Sequence, residues 1–226
     1  MEEELVKVAP PEIVDDMQAE LESLGARDPA RYLGAPARCL SAVRDTPQVE
    51  ADHSPFLSGA LAWISNGAIP ERCSVCGFEW VTASDAAVDA IEAAPERYAA
   101  LLADRDGMVA ADDGGWNATA YVWHLVDLAR SWSERWVQVE ADPGSLLAGW
   151  DPDVLAAARN YRNLPTTPAL WALDQATASF VELSRQLDHA AAFRHGDWGA
   201  GTVGDGLRWL AHEYTHHQLD VHARAR

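Results

Sequence analysis

The sequence predicts an all-α protein: a four-helix bundle with a crossover connection between the second and third long helices, preceded by an irregular N-terminal extension. Three observations support this. From Thr82 onward, long amphipathic segments alternate with Gly, Pro and Asp clusters. No run of alternating β-branched residues is long enough to read as a sheet. The span from about Ala141 to Pro168 is longer than a tight bundle loop, which favours a crossover over a simple up-down-up-down chain.

The first helix is expected after Ser84 and runs to about Ala103, with Pro95 kinking or dividing it. Asp104-Arg105-Asp106-Gly107 and Asp112-Asp113-Gly114-Gly115 read as turns. The second helix runs from about Asn117 to Glu140 and stops at Asp142-Pro143-Gly144. Asp151-Pro152 opens a short helix to about Tyr161, and Thr167-Pro168 a longer one to about Asp188, by pairing a cap with a proline in the first turn. The last helix starts at Thr202, with Asp205 three residues on as its capping-box partner. Residues 1–70 form the extension, with a helix expected over Glu12 to Leu24 and a short apolar one over Phe56 to Ile64. Residues 71–226 form the bundle.

The formal charge of −18 on 226 residues repels nucleic-acid backbones and anionic membranes alike, so neither is an expected partner. No stretch approaches the roughly 20 apolar residues of a membrane-spanning helix. Met1-Glu2-Glu3-Glu4 is acidic where a secretory signal is basic and then apolar, so a cytoplasmic location is expected. Three cysteines without an export signal argue against a disulfide framework.

The last helix carries His212-Glu213-Tyr214-Thr215-His216-His217. His212 and His216 stand one turn apart on a face shared with Trp209, and two imidazoles so placed can reach one ion. His124 lies in the apolar stretch Tyr121-Val122-Trp123-His124-Leu125 of the second helix, where an imidazole needs a partner. The expected site is therefore one divalent ion held by His124, His212 and His216, with His217 and His222 pointing elsewhere. His222 is about 15 Å from His212 along the helix. Asp127 and Glu213 are candidates for orienting the ligands or moving a proton, against a plain reading as surface carboxylates. The string His212-Glu213-x-x-His216 also matches the short zincin signature. Leu219 stands where that fold needs a glycine, and the sequence closes at Arg226 without the third ligand, so a peptidase is set aside.

Trp123-His124-Leu125-Val126-Asp127, followed by Thr202-Val203 and His212-Glu213-Tyr214-Thr215-His216-His217-Gln218-Leu219-Asp220, resembles the DinB-like superfamily, whose pattern is a histidine in the second helix and a His-x-x-x-His pair in the last. The likeness spans about residues 71 to 226 and includes the leader Cys73-Ser74-Val75-Cys76-Gly77-Phe78. It implies a bundle with a crossover, often dimeric, that holds zinc or nickel. The family includes mycothiol-dependent maleylpyruvate isomerase and transferases of mycothiol or bacillithiol. Three protein ligands leave metal positions open, as in catalytic sites. A low-molecular-weight thiol bound there would be delivered as thiolate to a small electrophilic substrate. The alternative is a non-catalytic metal-binding bundle acting as a stress-related or regulatory interaction protein.

Cys73-x-x-Cys76-Gly77 has the spacing of half a zinc knuckle. Cys39 and His53 are the residues considered for completing a second, structural site, beside a redox dithiol and two plain reduced thiols. Of ten tryptophans, Trp116, Trp123, Trp132, Trp136, Trp171 and Trp209 fall on or beside the long helices and are expected to be mostly core. Trp209 and Tyr121 are expected at the pocket beside the metal.

Overall fold

A computed structural model describes residues 71–196 and 199–226, all within one compact unit. The helices expected over Glu12 to Leu24 and Phe56 to Ile64, together with Cys39 and His53, lie outside the described residues.

The first long helix is divided as Pro95 requires. Helix α1 (Ser84–Glu92) ends at Ala93, and α2 (Ala94–Leu102) starts with the proline in its first turn. Helix α3 (Ala118–Ala141) is capped by Asn117, whose side chain accepts from the Ala120 amide. Helix α4 (Pro152–Arg159) is capped by Asp151 and ends at Asn160, which adopts the left-handed conformation at φ 57°. A short 3-10 turn, Tyr161–Asn163, leads to α5 (Thr166–Ser184). Helix α6 (Val203–Arg224) opens with the full capping box: the Thr202 hydroxyl accepts from Asp205 N, and the Asp205 carboxylate accepts from Thr202 N.

The Thr119 and Thr166 hydroxyls are hydrogen-bonded at 2.7 Å, which places the starts of α3 and α5 together. Their far ends also meet, where Gly144 N donates to Ala192 O. These two helices are therefore parallel neighbours, and the crossover, residues 142–165, carries the chain back along the bundle. Arg226 at the end of α6 pairs through its backbone with Asp106, near the start of α3, so α6 runs antiparallel to α3. Helices α1 and α2 run alongside α6, with Gly204 beside Ser84 at one end and Arg105 bonded to His222 at the other. Helix α6 packs on α1, α2 and α3, while α5 packs on α3, α1 and α2.

A small sheet, not expected from the sequence, closes one end. Strand β1 (Leu146–Leu147) lies parallel to β2 (Ala192–His195), which forms a hairpin with β3 (Gly199–Thr202). Strands of two to four residues carry too little alternation to be read in advance. The bundle nevertheless remains helix-dominated.

The core is aromatic. Trp132, Trp136, Tyr98, Tyr161, Tyr214, Phe180 and Phe193 are fully buried. Gly206 on α6 is required by this packing, because a Cβ there would stand 2.5 Å from the Trp136 ring. Tyr98 on α2 donates to the Tyr214 carbonyl, and the Tyr214 hydroxyl donates to Leu125 O. Trp171 departs from expectation: it is 67% exposed, on the outer face of α5. Among the described residues no helix is long and apolar enough to cross a membrane.

Candidate metal centres

The structure divides the expected three-histidine set between two clusters. His124 meets Glu213 and His217, whereas His212 and His216 meet Cys73 and Cys76; in each group the ligand atoms all lie within 4.8 Å of one another. The site expected at His124, His212 and His216 is thus not assembled as one group. The reason is helix phase. Helix α6 has an apolar stripe, Val203, Leu207, Leu210, Tyr214 and Val221, that is buried in the bundle. His217 is seven residues after Leu210 and four before Val221, so it lies on that stripe, with Glu213 one turn earlier. His212 and His216 sit about 100° round the helix from them, facing the leader.

In the bundle cluster all three residues are buried. Glu213 Oε2 lies 3.4 Å from His217 Nε2 and 3.8 Å from His124 Nε2, and the two imidazole centroids are 5.2 Å apart. These separations exceed the roughly 2.7–3.2 Å of an N–H···O bond. They approach the ~3.4 Å between neighbouring ligand atoms that tetrahedral bonds of about 2.0–2.2 Å produce. His217 Nδ1 bonds Asp220 Oδ2 at 2.8 Å. In its neutral form, with the Nδ1 proton directed to Asp220, His217 turns the Nε2 lone pair toward Glu213 and His124, the arrangement in which a carboxylate orients a ligating imidazole.

Burial opposes ionisation of Glu213, but the imidazoles of His124, His212 and His217 around it outweigh burial and hold the carboxyl well below its usual range. Burial likewise opposes protonation of His217, but Asp220 and Glu213 push it up to about 9. A buried carboxylate facing imidazoles at these distances is a donor set that fits a divalent cation.

The walls are aromatic. The Trp116 ring is 5.1 Å from His124 and Trp150 is 6.0 Å from it. Tyr121, expected at the pocket, lies 5.0 Å from the His217 ring. Burial raises its hydroxyl to about 12, so it remains a proton donor. Trp209, the other expected pocket residue, packs against Trp132 at 5.7 Å. Asp127 turns away from the cluster: its carboxylate accepts from Arg159 and the Tyr161 hydroxyl, fastening the crossover to α3. Glu213, expected beside the ligands, stands between His124 and His217. His217, expected to point elsewhere, instead joins this cluster, because its phase relative to Leu210 and Val221 places it on the buried stripe, a usable signal; Asp220 and Trp150 were not anticipated. His222, as expected, lies apart, bonded to Arg105.

In the second cluster Cys73 Sγ is 3.8 Å from His216 Nδ1, and the His212 and His216 ring centroids are 5.2 Å apart. Cys73 and Cys76 are both free thiols.

Among solved structures, the chain is similar to YfiT from Bacillus subtilis, described as a probable metal-dependent hydrolase with an unusual four-helix bundle topology. The likeness covers 62% of this chain and 86% of that one, with a TM-score of 0.54 and 18% sequence identity. At that identity it shows the fold. No family model matches the chain. No curated protein matches it.

Proposed function

We propose that His124, Glu213 and His217 hold one divalent metal ion and that the protein is a metal-dependent enzyme acting on a small molecule. The observation that carries this reading is the position of Glu213 Oε2, buried and ionised, facing the Nε2 atoms of both His124 and His217. The resemblance of the sequence to the DinB-like superfamily and the bundle shared with YfiT support it.

Two imidazoles and a carboxylate make a three-ligand set, which leaves a position for an exogenous group, as in catalytic zinc sites. A divalent cation there supplies Lewis acidity, lowering the pKa of a coordinated thiol or water. The chain's own residues do the rest. Asp220 fixes the tautomer and tilt of His217 through Nδ1. Trp116, Tyr121 and Trp150 wall the cluster against bulk water, which strengthens the electrostatics inside it. The Tyr121 hydroxyl, protonated at neutral pH, can donate to charge developing on a substrate.

The nucleophile we favour is a low-molecular-weight thiol, transferred to or used to isomerise a small electrophile; zinc and nickel both suit the donors. A second reading, hydrolysis by activated water, is favoured by the His2Glu donor set, which recurs in metallohydrolases, and by the description of YfiT. Zinc- and nickel-loaded protein assayed with mycothiol, bacillithiol and glutathione against small electrophiles, beside ester and amide substrates without thiol, separates the two. Thiol-dependent turnover that is lost in Glu213→Gln supports the first; thiol-independent hydrolysis lost in the same variant supports the second. No metal-dependent turnover in either arm would leave a non-catalytic metal-binding bundle.

A further inference from the structure

We propose that Cys73, Cys76, His212 and His216 form a second, four-coordinate zinc site that fastens the leader, residues 71–80, to helix α6. This site shares no ligand with the bundle cluster and draws its second pair of ligands from α6 rather than from Cys39 and His53.

The leader has the form of a metal knuckle. Arg72 and Glu79 pair across a short antiparallel bridge, and Trp80 N donates to Glu71 O. At its tip Cys73 N donates to Phe78 O and Gly77 N to Cys73 O. Gly77 has φ 76°, a conformation that L side chains rarely adopt, and this lets the chain turn back directly after the second thiol. Both sulfurs are thereby presented on one side of the turn.

Helix α6 supplies the other half. His212 and His216, one turn apart, bring their nitrogens to within 4.8 Å of both sulfurs and of each other. A tetrahedral ion bonded at about 2.3 Å to sulfur and 2.0–2.1 Å to nitrogen sets its ligand atoms roughly 3.4–3.8 Å apart. The Cys73 Sγ to His216 Nδ1 separation of 3.8 Å falls at that scale. Two thiolates and two imidazoles are a closed set suited to zinc and leave no position for substrate.

The leader also needs a fastening. Phe78 and Trp80 lie over His212, at 5.6 and 4.6 Å between ring centroids. Yet no residue from Glu71 to Trp80 is fully buried, and Val75 and Val81 are exposed. With so little apolar burial, a shared ion is the strongest available link between this segment and the bundle.

The test is titration of the metal-free, reduced full-length chain with cobalt(II) chloride. The expected result is two ions per chain, one of them giving the near-ultraviolet charge-transfer band of a cobalt thiolate, which zinc then bleaches. Cys73→Ser with Cys76→Ser should bind one ion and show no band. His124→Ala should also bind one ion but keep the band, so failure of the bundle-site reading is seen separately. Cys39→Ser with His53→Ala should keep both ions. The proposal is overturned if the wild-type protein shows no thiolate band, as a plain thiol pair or a redox dithiol would, or if the Cys39/His53 variant loses it. Because the band is read on the wild-type chain, a misfolded variant does not shield the proposal.

Discussion

His212 and Glu213 are sequence neighbours that face different clusters. Glu213 directs Oε2 to His217 and His124, while its Oε1 lies 3.8 Å from His212 Nδ1, in the cysteine cluster. One buried carboxylate therefore adjoins both proposed ions, and substitutions on α6 should sort by phase. His217→Ala and Glu213→Gln are expected to abolish the ion that gives no thiolate band, while His216→Ala removes only the banded one. Cobalt titration of the three variants checks this, and loss of the non-thiolate ion in His216→Ala but not in His217→Ala would reverse the assignment.

Asp220 bonds His217 Nδ1 and does not itself belong to either ligand group. Asp220→Asn should weaken the bundle ion by ~10–100-fold, the usual cost of losing a partner that orients a ligating histidine. The circular dichroism spectrum should stay unchanged. Competition with a chelating indicator measures the affinity; an unaltered constant would make Asp220 a helix-surface group.

Asp127 should behave differently, because it serves the crossover. Asp127→Ala leaves the Tyr161 hydroxyl and the half-buried Arg159 without their carboxylate, a loss of about 1–3 kcal/mol in unfolding free energy. Metal content should not change. Urea denaturation with elemental analysis decides it, since metal loss at unaltered stability would return Asp127 to the role of orienting a ligand.

The helix order was legible in the sequence because it rests on local chemistry: Asp151-Pro152 and Thr202 with Asp205 cap their helices, and Pro95 divides the first helix. The caps expected at Ser84 and Thr167 do not form: those residues lie inside α1 and α5, which start after Ala83 and Pro165 with no side-chain cap. The ligand set was less so. His212/His216 and Glu213/His217 share the i, i+4 spacing, and spacing alone does not say which pair faces α3. The stripe through Leu210, Tyr214 and Val221 does, once α6 is known to be packed on two sides. The pairing of Cys73 and Cys76 with α6 is a tertiary contact across more than a hundred residues, invisible to local pattern. Trp171 shows the converse, a large apolar residue left on the surface by its helix phase.

Gly206→Ala tests the packing that sets this phase. The added methyl meets the rigid Trp136 ring at 2.5 Å, so the expected loss is about 1–3 kcal/mol, seen as a melting temperature lower by several degrees. A melting curve equal to the wild type would mean that α6 can slide away from Trp136 without cost.

In the metal-free protein His217 is pushed up to about 9 by Asp220 and Glu213 against the effect of burial. A folded-state pKa above the unfolded value of about 6.5 stabilises the fold while the proton is bound. That contribution is complete below about pH 6.5 and is lost as pH rises through about 9. The stability difference between metal-free wild type and His217→Gln should therefore shrink from pH 6.5 to pH 9. Denaturant titrations at both values measure it, and a difference that stays constant or grows would contradict the pairing.

The most direct measurement is anomalous diffraction at the zinc absorption edge from crystals of the zinc-loaded full-length protein. The account predicts a peak bonded to His124 Nε2, Glu213 Oε2 and His217 Nε2, separate from any peak among Cys73, Cys76, His212 and His216. A single ion shared by His124, His212 and His216, or no density between His124, Glu213 and His217, would contradict it.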